Sequence, residues 1–141
     1  MFRALNGVLS LFVLALAATL CSLSAGAANG VVTIQPTHHD FGAEVVGLKT
    51  RLLTVTIFNP GPGGVGVTGF QLSNPAFQLT QGIAPVTVGA GATTHYTLQF
   101  APSAQQAYSG TFSVFIDNGQ TLTLKLSGTG TTTTTTTTTT P

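Results

Sequence analysis

Three histidines (His38, His39, His95) and three carboxylates (Asp40, Glu44, Asp117) are the side chains of this 141-residue sequence best equipped for chemistry. A zinc or copper site would need at least three such groups to converge. Adjacent His38 and His39 on an extended segment must point to opposite sides. The expected role of all three histidines is therefore polar surface. Asp40 is better placed to accept a backbone hydrogen bond in a turn. For nucleophilic catalysis there is no Gly-x-Ser-x-Gly elbow and no spacing that suggests a Ser–His–Asp set. The glycines near Pro60 precede no helical pattern, so they do not form a phosphate loop. Tyr108 is the candidate aromatic for a sugar platform, because Tyr96 alternates inward. No catalytic, cofactor-binding or metal-ligating residue is expected, and no cofactor. An enzyme is not expected.

Composition narrows the function classes further. Hydrophobic residues make up 43% of the chain and charged residues 5%, against roughly 25% charged in an ordinary domain. A formal charge of +1 leaves no basic stripe for a phosphate backbone, which argues against nucleic acid. High hydrophobicity with little charge is also the opposite of the usual signature of disorder. Lys49 and Arg51 form either a small basic spot or a solvated strand entry.

The first 27 residues read as a signal peptide. Arg3 is followed by an apolar run from Val8 to Cys21, then by small residues ending in Ala25-Gly26-Ala27, with cleavage expected before Ala28. The apolar stretch of about 14 residues is short of the ~20 that span a bilayer. Membrane attachment is expected only if the leader stays uncleaved. Cys21 is the single cysteine, and Leu20 before it is not the small residue that a lipid-bearing cysteine usually follows. The expected fate is loss of Cys21 with the leader, leaving an exported chain without a disulfide. The expected locations are the periplasm, the cell surface or the medium.

From residue 31 to residue 130 the pattern is short strands throughout. Leu53, Val55 and Ile57 share one face, with Thr54 and Thr56 on the other. Tyr96, Leu98 and Phe100 oppose His95, Thr97 and Gln99. Phe112, Val114 and Ile116 form another inward set, and Leu122, Leu124 and Leu126 the last, with Lys125 facing out. Asp117-Asn118-Gly119-Gln120 predicts a type I′ hairpin turn. The segment 59–64 is a Pro/Gly loop, and the slip of alternation at Gly69 predicts a bulge. The expectation is an all-β fold, an immunoglobulin-like antiparallel β-sandwich of seven to eight strands. Phe41 and Phe100 are expected to plug its two ends, and Pro102 to stop the strand holding Phe100. Gly42, Gly47 and Gly110 suit turns or close backbone approaches.

Asp40-Phe41-Gly42, Val46-Gly47 and Asn59-Pro60-Gly61 resemble the opening of ASH-type domains, the immunoglobulin-like modules of abnormal-spindle and hydin proteins. Phe77, a Gly91 turn, Phe100-Ala101-Pro102, Ser109-Gly110 and Leu126-Ser127-Gly128-Thr129-Gly130 continue the resemblance, which runs from Ile34 to Gly130. Such modules are common in bacterial exported proteins called choice-of-anchor D. The resemblance implies a spacer or binding module, often in tandem, without catalytic residues.

Three regions are therefore expected: a leader at 1–27, a sandwich domain at 28–130, and a threonine tail at 131–141 that acts as a linker or a glycosylated stalk. The leading functional expectation is a non-enzymatic exported binding or spacer module whose partner is a protein or a neighbouring copy of itself. The alternative is a structural subunit of an extracellular fibre or surface layer, assembling through sheet edges whose mutual repulsion the low charge weakens. A small-ligand or metal carrier using the three histidines stands behind both.

Overall fold

Period-two alternation of β-branched and aromatic residues drives each segment to bury one face, and two sheets facing each other satisfy that demand. The computed structural model describes residues 30–50 and 52–133. The leader, Cys21, Arg51 and the tail from residue 134 lie outside the described residues. One sheet holds β1 (Thr33–Gln35), β3 (Leu53–Phe58), β7 (Thr93–Phe100) and β5 (Phe77–Gln81), in the order β1-β3-β7-β5. The other holds β2 (His38–Val45), β9 (Thr121–Thr131), β8 (Ala107–Ile116), β4 (Val65–Leu72) and β6 (Val86–Val88), in the order β2-β9-β8-β4-β6. No described residue is helical. The architecture is the expected all-β immunoglobulin-like sandwich.

The inward sets meet between the sheets. Val55, Ile57, Tyr96, Leu98 and Phe100 face Val114, Phe112, Leu124 and Leu126, all of them buried. Val32 and Ile34 close the layer beside β3. Gly110 carries no side chain because the space is taken: a Cβ there would stand 3.0 Å from the Phe77 ring. Strand β7 ends at Phe100, with Pro102 just beyond it. The slip at Gly69 is a register shift between β4 and β8.

Several expectations are corrected. The described residues form nine strands rather than seven or eight, and the strand missed in the sequence is β2. Its alternation is broken by Gly42, whose φ of 71° interrupts the pairing, so Asp40-Phe41-Gly42 carries the signal of a turn and not of a strand. The sandwich is also not wholly antiparallel, because β2 runs parallel to β9. β1 and β2 lie in different sheets, so after β1 the chain crosses the sandwich and enters the second sheet alongside its last strand.

Phe41 and Phe100 do not plug opposite ends. Their rings stack 6.0 Å apart, and Phe77 stacks on Phe100 at 5.2 Å, so one end holds the whole group. Thr97 and Gln99 were expected to face water, yet both are buried. Strand β7 lies between β3 and β5, and side chains of β5 cover it: Gln99 Nε2 donates to Gln78 Oε1 at 3.1 Å, and Thr80 Oγ1 to the Thr97 carbonyl.

The last hairpin is not type I′, which would need positive φ at both central residues. Only Gly119 has it, at 86°. Gly119 N–H donates to the Ile116 carbonyl and Ile116 N–H to the Gln120 carbonyl. That is a three-residue loop with a type I turn and a glycine bulge. At the far end β9 takes in Thr131, the first threonine of the tract, which pairs with Val45.

Candidate interaction surfaces

The polar residues singled out in the sequence are scattered over both layers. His38 and His39 lie on β2 in the second sheet, and His95 on β7 in the first. His39 packs edge-on against Phe41 at 4.7 Å, and His95 Nδ1 sits 3.1 Å from Thr56 Oγ1. Among the described residues, no three of His, Cys, Asp or Glu are grouped to hold a metal. Lys49 is exposed in the connection between β2 and β3.

Asp40 has the turn role expected of it. Its Oδ1 accepts the Gly42 N–H at 3.0 Å. That bond first, then the Ser127 side chain, holds its carboxyl below the usual carboxylate range, with His39 adding a smaller effect.

Tyr108 is not an exposed platform. It is 9% exposed and stands edge-on to Phe100 at 5.5 Å. Its hydroxyl oxygen accepts the N–H groups of Ala104 at 2.8 Å and Ser103 at 3.2 Å, pinning the β7–β8 connection. Hydrogen bonding, from the Ser103 side chain foremost, moves the phenol below its usual range. Tyr96 is buried as expected. Its hydroxyl donates to the Ile83 carbonyl at 2.9 Å, and burial pushes its phenol up.

Asn59 carries more structure than its place in a Pro/Gly loop suggested. The buried side chain donates from Nδ2 to the carbonyls of Gly63, Val88 and Gly89 at 2.7–3.1 Å and accepts the Gly61 N–H at 3.0 Å. It ties the loop after β3 to the turn after β6. An Asn before Pro-Gly signals a turn, but nothing local marks it as buried.

Besides the outer sides of the edge strands β1, β5, β2 and β6, stretches of the inner strands β4 and β3 have no strand beside them among the described residues. β6 pairs only with residues 65–67 of β4, leaving the edge over 68–72 open. Phe70 stands there, turned toward Tyr96 and Phe112 at 5.8 and 6.1 Å yet 37% exposed. β1 pairs only with residues 56–58 of β3, leaving 53–55 open. Beside that edge, Leu52 is 61% exposed and lines a depression of about 380 Å3 with His39, Asp40, Phe41 and Glu44.

Two further depressions open elsewhere. One of about 520 Å3 lies at the Asn59 loop. Another, of about 400 Å3, lies on the outer face of the first sheet around Phe58. Phe58 was missed in the sequence, although it breaks the polar register of Thr54 and Thr56.

No family model matches the chain, and no curated protein matches it. Solved structures do. The ASH/PapD-like domain 7 of human CEP192 superposes with a TM-score of 0.58 at 15% identity, over 75% of this chain and 89% of that one. The VesB protease of Vibrio cholerae gives 0.54 at 14% identity, over 70% of this chain but 31% of the protease. The CsuC–CsuE chaperone–tip adhesion subunit complex of Acinetobacter baumannii gives 0.51 at 13%, over 70% of this chain and 56% of that one. At these identities the likeness is one of fold: an ASH/PapD-like immunoglobulin sandwich. The chain spans less than a third of the protease and just over half of the chaperone–adhesin chain.

Proposed function

We propose that this chain is a non-enzymatic immunoglobulin-like binding or spacer module that acts outside the cytoplasm, in the periplasm or at the cell surface, on a protein partner. The open β4 edge over residues 68–72 carries this reading. An unpaired edge offers N–H and C=O groups to an incoming extended segment, which gains ladder hydrogen bonds as it adds to the sheet. Phe70 would then be covered by a side chain of the arriving strand. The leader-like sequence at 1–27 supports export. That a structure sharing this fold is a chaperone–adhesion subunit complex supports a role in protein pairing. The choice-of-anchor D likeness of the sequence fits the same setting.

Native mass spectrometry of the protein recovered from its own host tests the reading. The expected result is a chain starting near Ala28 that carries a second, different protein, which a Phe70→Lys variant releases while staying folded. A chain that retains residues 1–27, or a partner still held by Phe70→Lys, would overturn it.

One observation favours a second reading, a structural subunit of an extracellular fibre or layer. The outer face of the second sheet is largely hydroxyls, with Thr121, Thr123, Ser127 and Thr129 on β9 opposite Phe115, Ser113, Ser109 and Ala107 on β8. Lys125 is the one charged residue on those two strands. The edge strand β6 of the same sheet, Val86–Val88, is uncharged as well, so copies approaching along that edge meet little repulsion. A ladder of self-oligomers in the same spectrum would select this reading.

A further inference from the structure

We propose that Phe58 and the uncharged polar side chains around it on the outer face of the first sheet form a shallow binding site for a neutral saccharide chain. Strand register builds the site. Thr33, Phe58 and Thr93 lie side by side across β1, β3 and β7, and Gln35, Thr56 and His95 form the next row. Neighbouring strands are about 4.8 Å apart, and same-face residues on one strand about 6.8 Å. The phenyl ring therefore has hydroxyl and amide groups within one sugar ring's reach on three sides. The depression they line measures about 400 Å3.

Phe58 is 38% exposed and is the one apolar side chain lining this depression, with the exposed Val31 two residues before Thr33. The other phenyl ring on an outer face, Phe115, is half-buried beside Gly69, where an added Cβ would stand 3.8 Å from its Cδ2. Phe70, similarly exposed, belongs to the inner layer and packs on Tyr96. Phe58 is thus the ring turned away from the core with an open face.

The surrounding electrostatics select the ligand class. The charged groups among the described residues are Asp40 and Glu44 on β2, Lys49 in the connection after it, Asp117 in the last hairpin turn and Lys125 on β9. None stands on this face. An ionic ligand would lose hydration there and meet no counter-charge among the described residues. A protein interface centres on a cluster of apolar anchors, whereas this depression is lined by one, Phe58, among Thr33, Gln35, Thr56 and Thr93. A neutral polyhydroxylated ring satisfies both constraints: its C–H face packs on the phenyl, and its hydroxyls pair with the Gln35 amide and the Thr33 and Thr93 hydroxyls. This site is distinct from the open β4 edge, so saccharide binding and protein binding succeed or fail independently.

Calorimetric titration of the full chain with maltohexaose, cellohexaose and N-acetylchitohexaose tests the proposal. The expected result is weak, saturable binding of at least one of them. Phe58→Ala should weaken that binding tenfold or more with an unchanged thermal midpoint, and Phe58→Tyr should retain it. Gln35→Ala, at an exposed position, should weaken it about fivefold, and it carries the test if Phe58→Ala lowers the midpoint. Absence of saturable binding to all three, or binding indifferent to both alanine variants, would overturn the proposal. So would a change of oligomeric state in sugar-free Phe58→Ala, which would assign the face to contact between copies.

Discussion

Gly128 lies flat against the ring of Phe100: a Cβ at Gly128 would stand 2.7 Å from Phe100 Cε1. The second sheet's last strand thus approaches the first sheet's central aromatic as closely as a backbone can. Phe77, Phe41 and Tyr108 pack around the same ring.

Substitutions at this contact should be coupled. Phe100 is fully buried, so Phe100→Ala should cost about 3–5 kcal/mol. Gly128→Ala should cost about 1–3 kcal/mol through overpacking. In the double variant the added methyl would occupy the space the ring left, and the two losses should fall short of additivity. Urea denaturation of the four proteins checks this, and a Phe100→Ala loss below about 1 kcal/mol would contradict the register of β7.

Asn59→Ala leaves the Gly61 N–H and the carbonyls of Gly63, Val88 and Gly89 without their side-chain partner. Buried unsatisfied groups cost about 1–3 kcal/mol each, and some of these will find water, so a total of about 2–4 kcal/mol is expected. Hydrogen exchange should show the 59–64 loop and the turn after β6 losing protection together.

Tyr108→Phe removes only an oxygen and keeps the packing against Phe100. Ser103 and Ala104 then lose the acceptor for their N–H groups. The expected loss is about 1–2 kcal/mol. If thermal denaturation shows no change, water replaces the phenol at that connection.

Acid should act through Asp40. Its folded-state pKa is lowered, chiefly by the Gly42 N–H. A depressed carboxylate stabilises the fold above its unfolded-state pKa and loses that contribution as pH falls through the folded value. The protein should therefore lose thermal stability below about pH 4, and Asp40→Asn should flatten that part of the profile. The residue is exposed, so the effect is small, and equal acid profiles for the two proteins would exclude the role.

The faces of the strands were legible in the sequence, and their neighbours were not. Val55 and Ile57, Phe112 through Ile116, and Leu122 through Leu126 alternate within a few residues, and that alternation alone decides which side of a strand seeks the core. The bulge at Gly69 and the glycine of the last turn are equally local, because φ and side-chain volume are properties of the residue itself. The parallel pairing of β2 with β9 joins residues more than eighty positions apart and follows from where the chain crosses the sandwich. That pairing brings Phe41 to the same end as Phe100. The central place of β7 covers Thr97 and Gln99, and the closing of the β7–β8 connection buries Tyr108. The short reach of β1 and β6 opens the edges of β3 and β4, and the alignment of β1, β3 and β7 sets Phe58 among polar neighbours. Each of these depends on which strands lie side by side, and only the packing of the whole chain decides that.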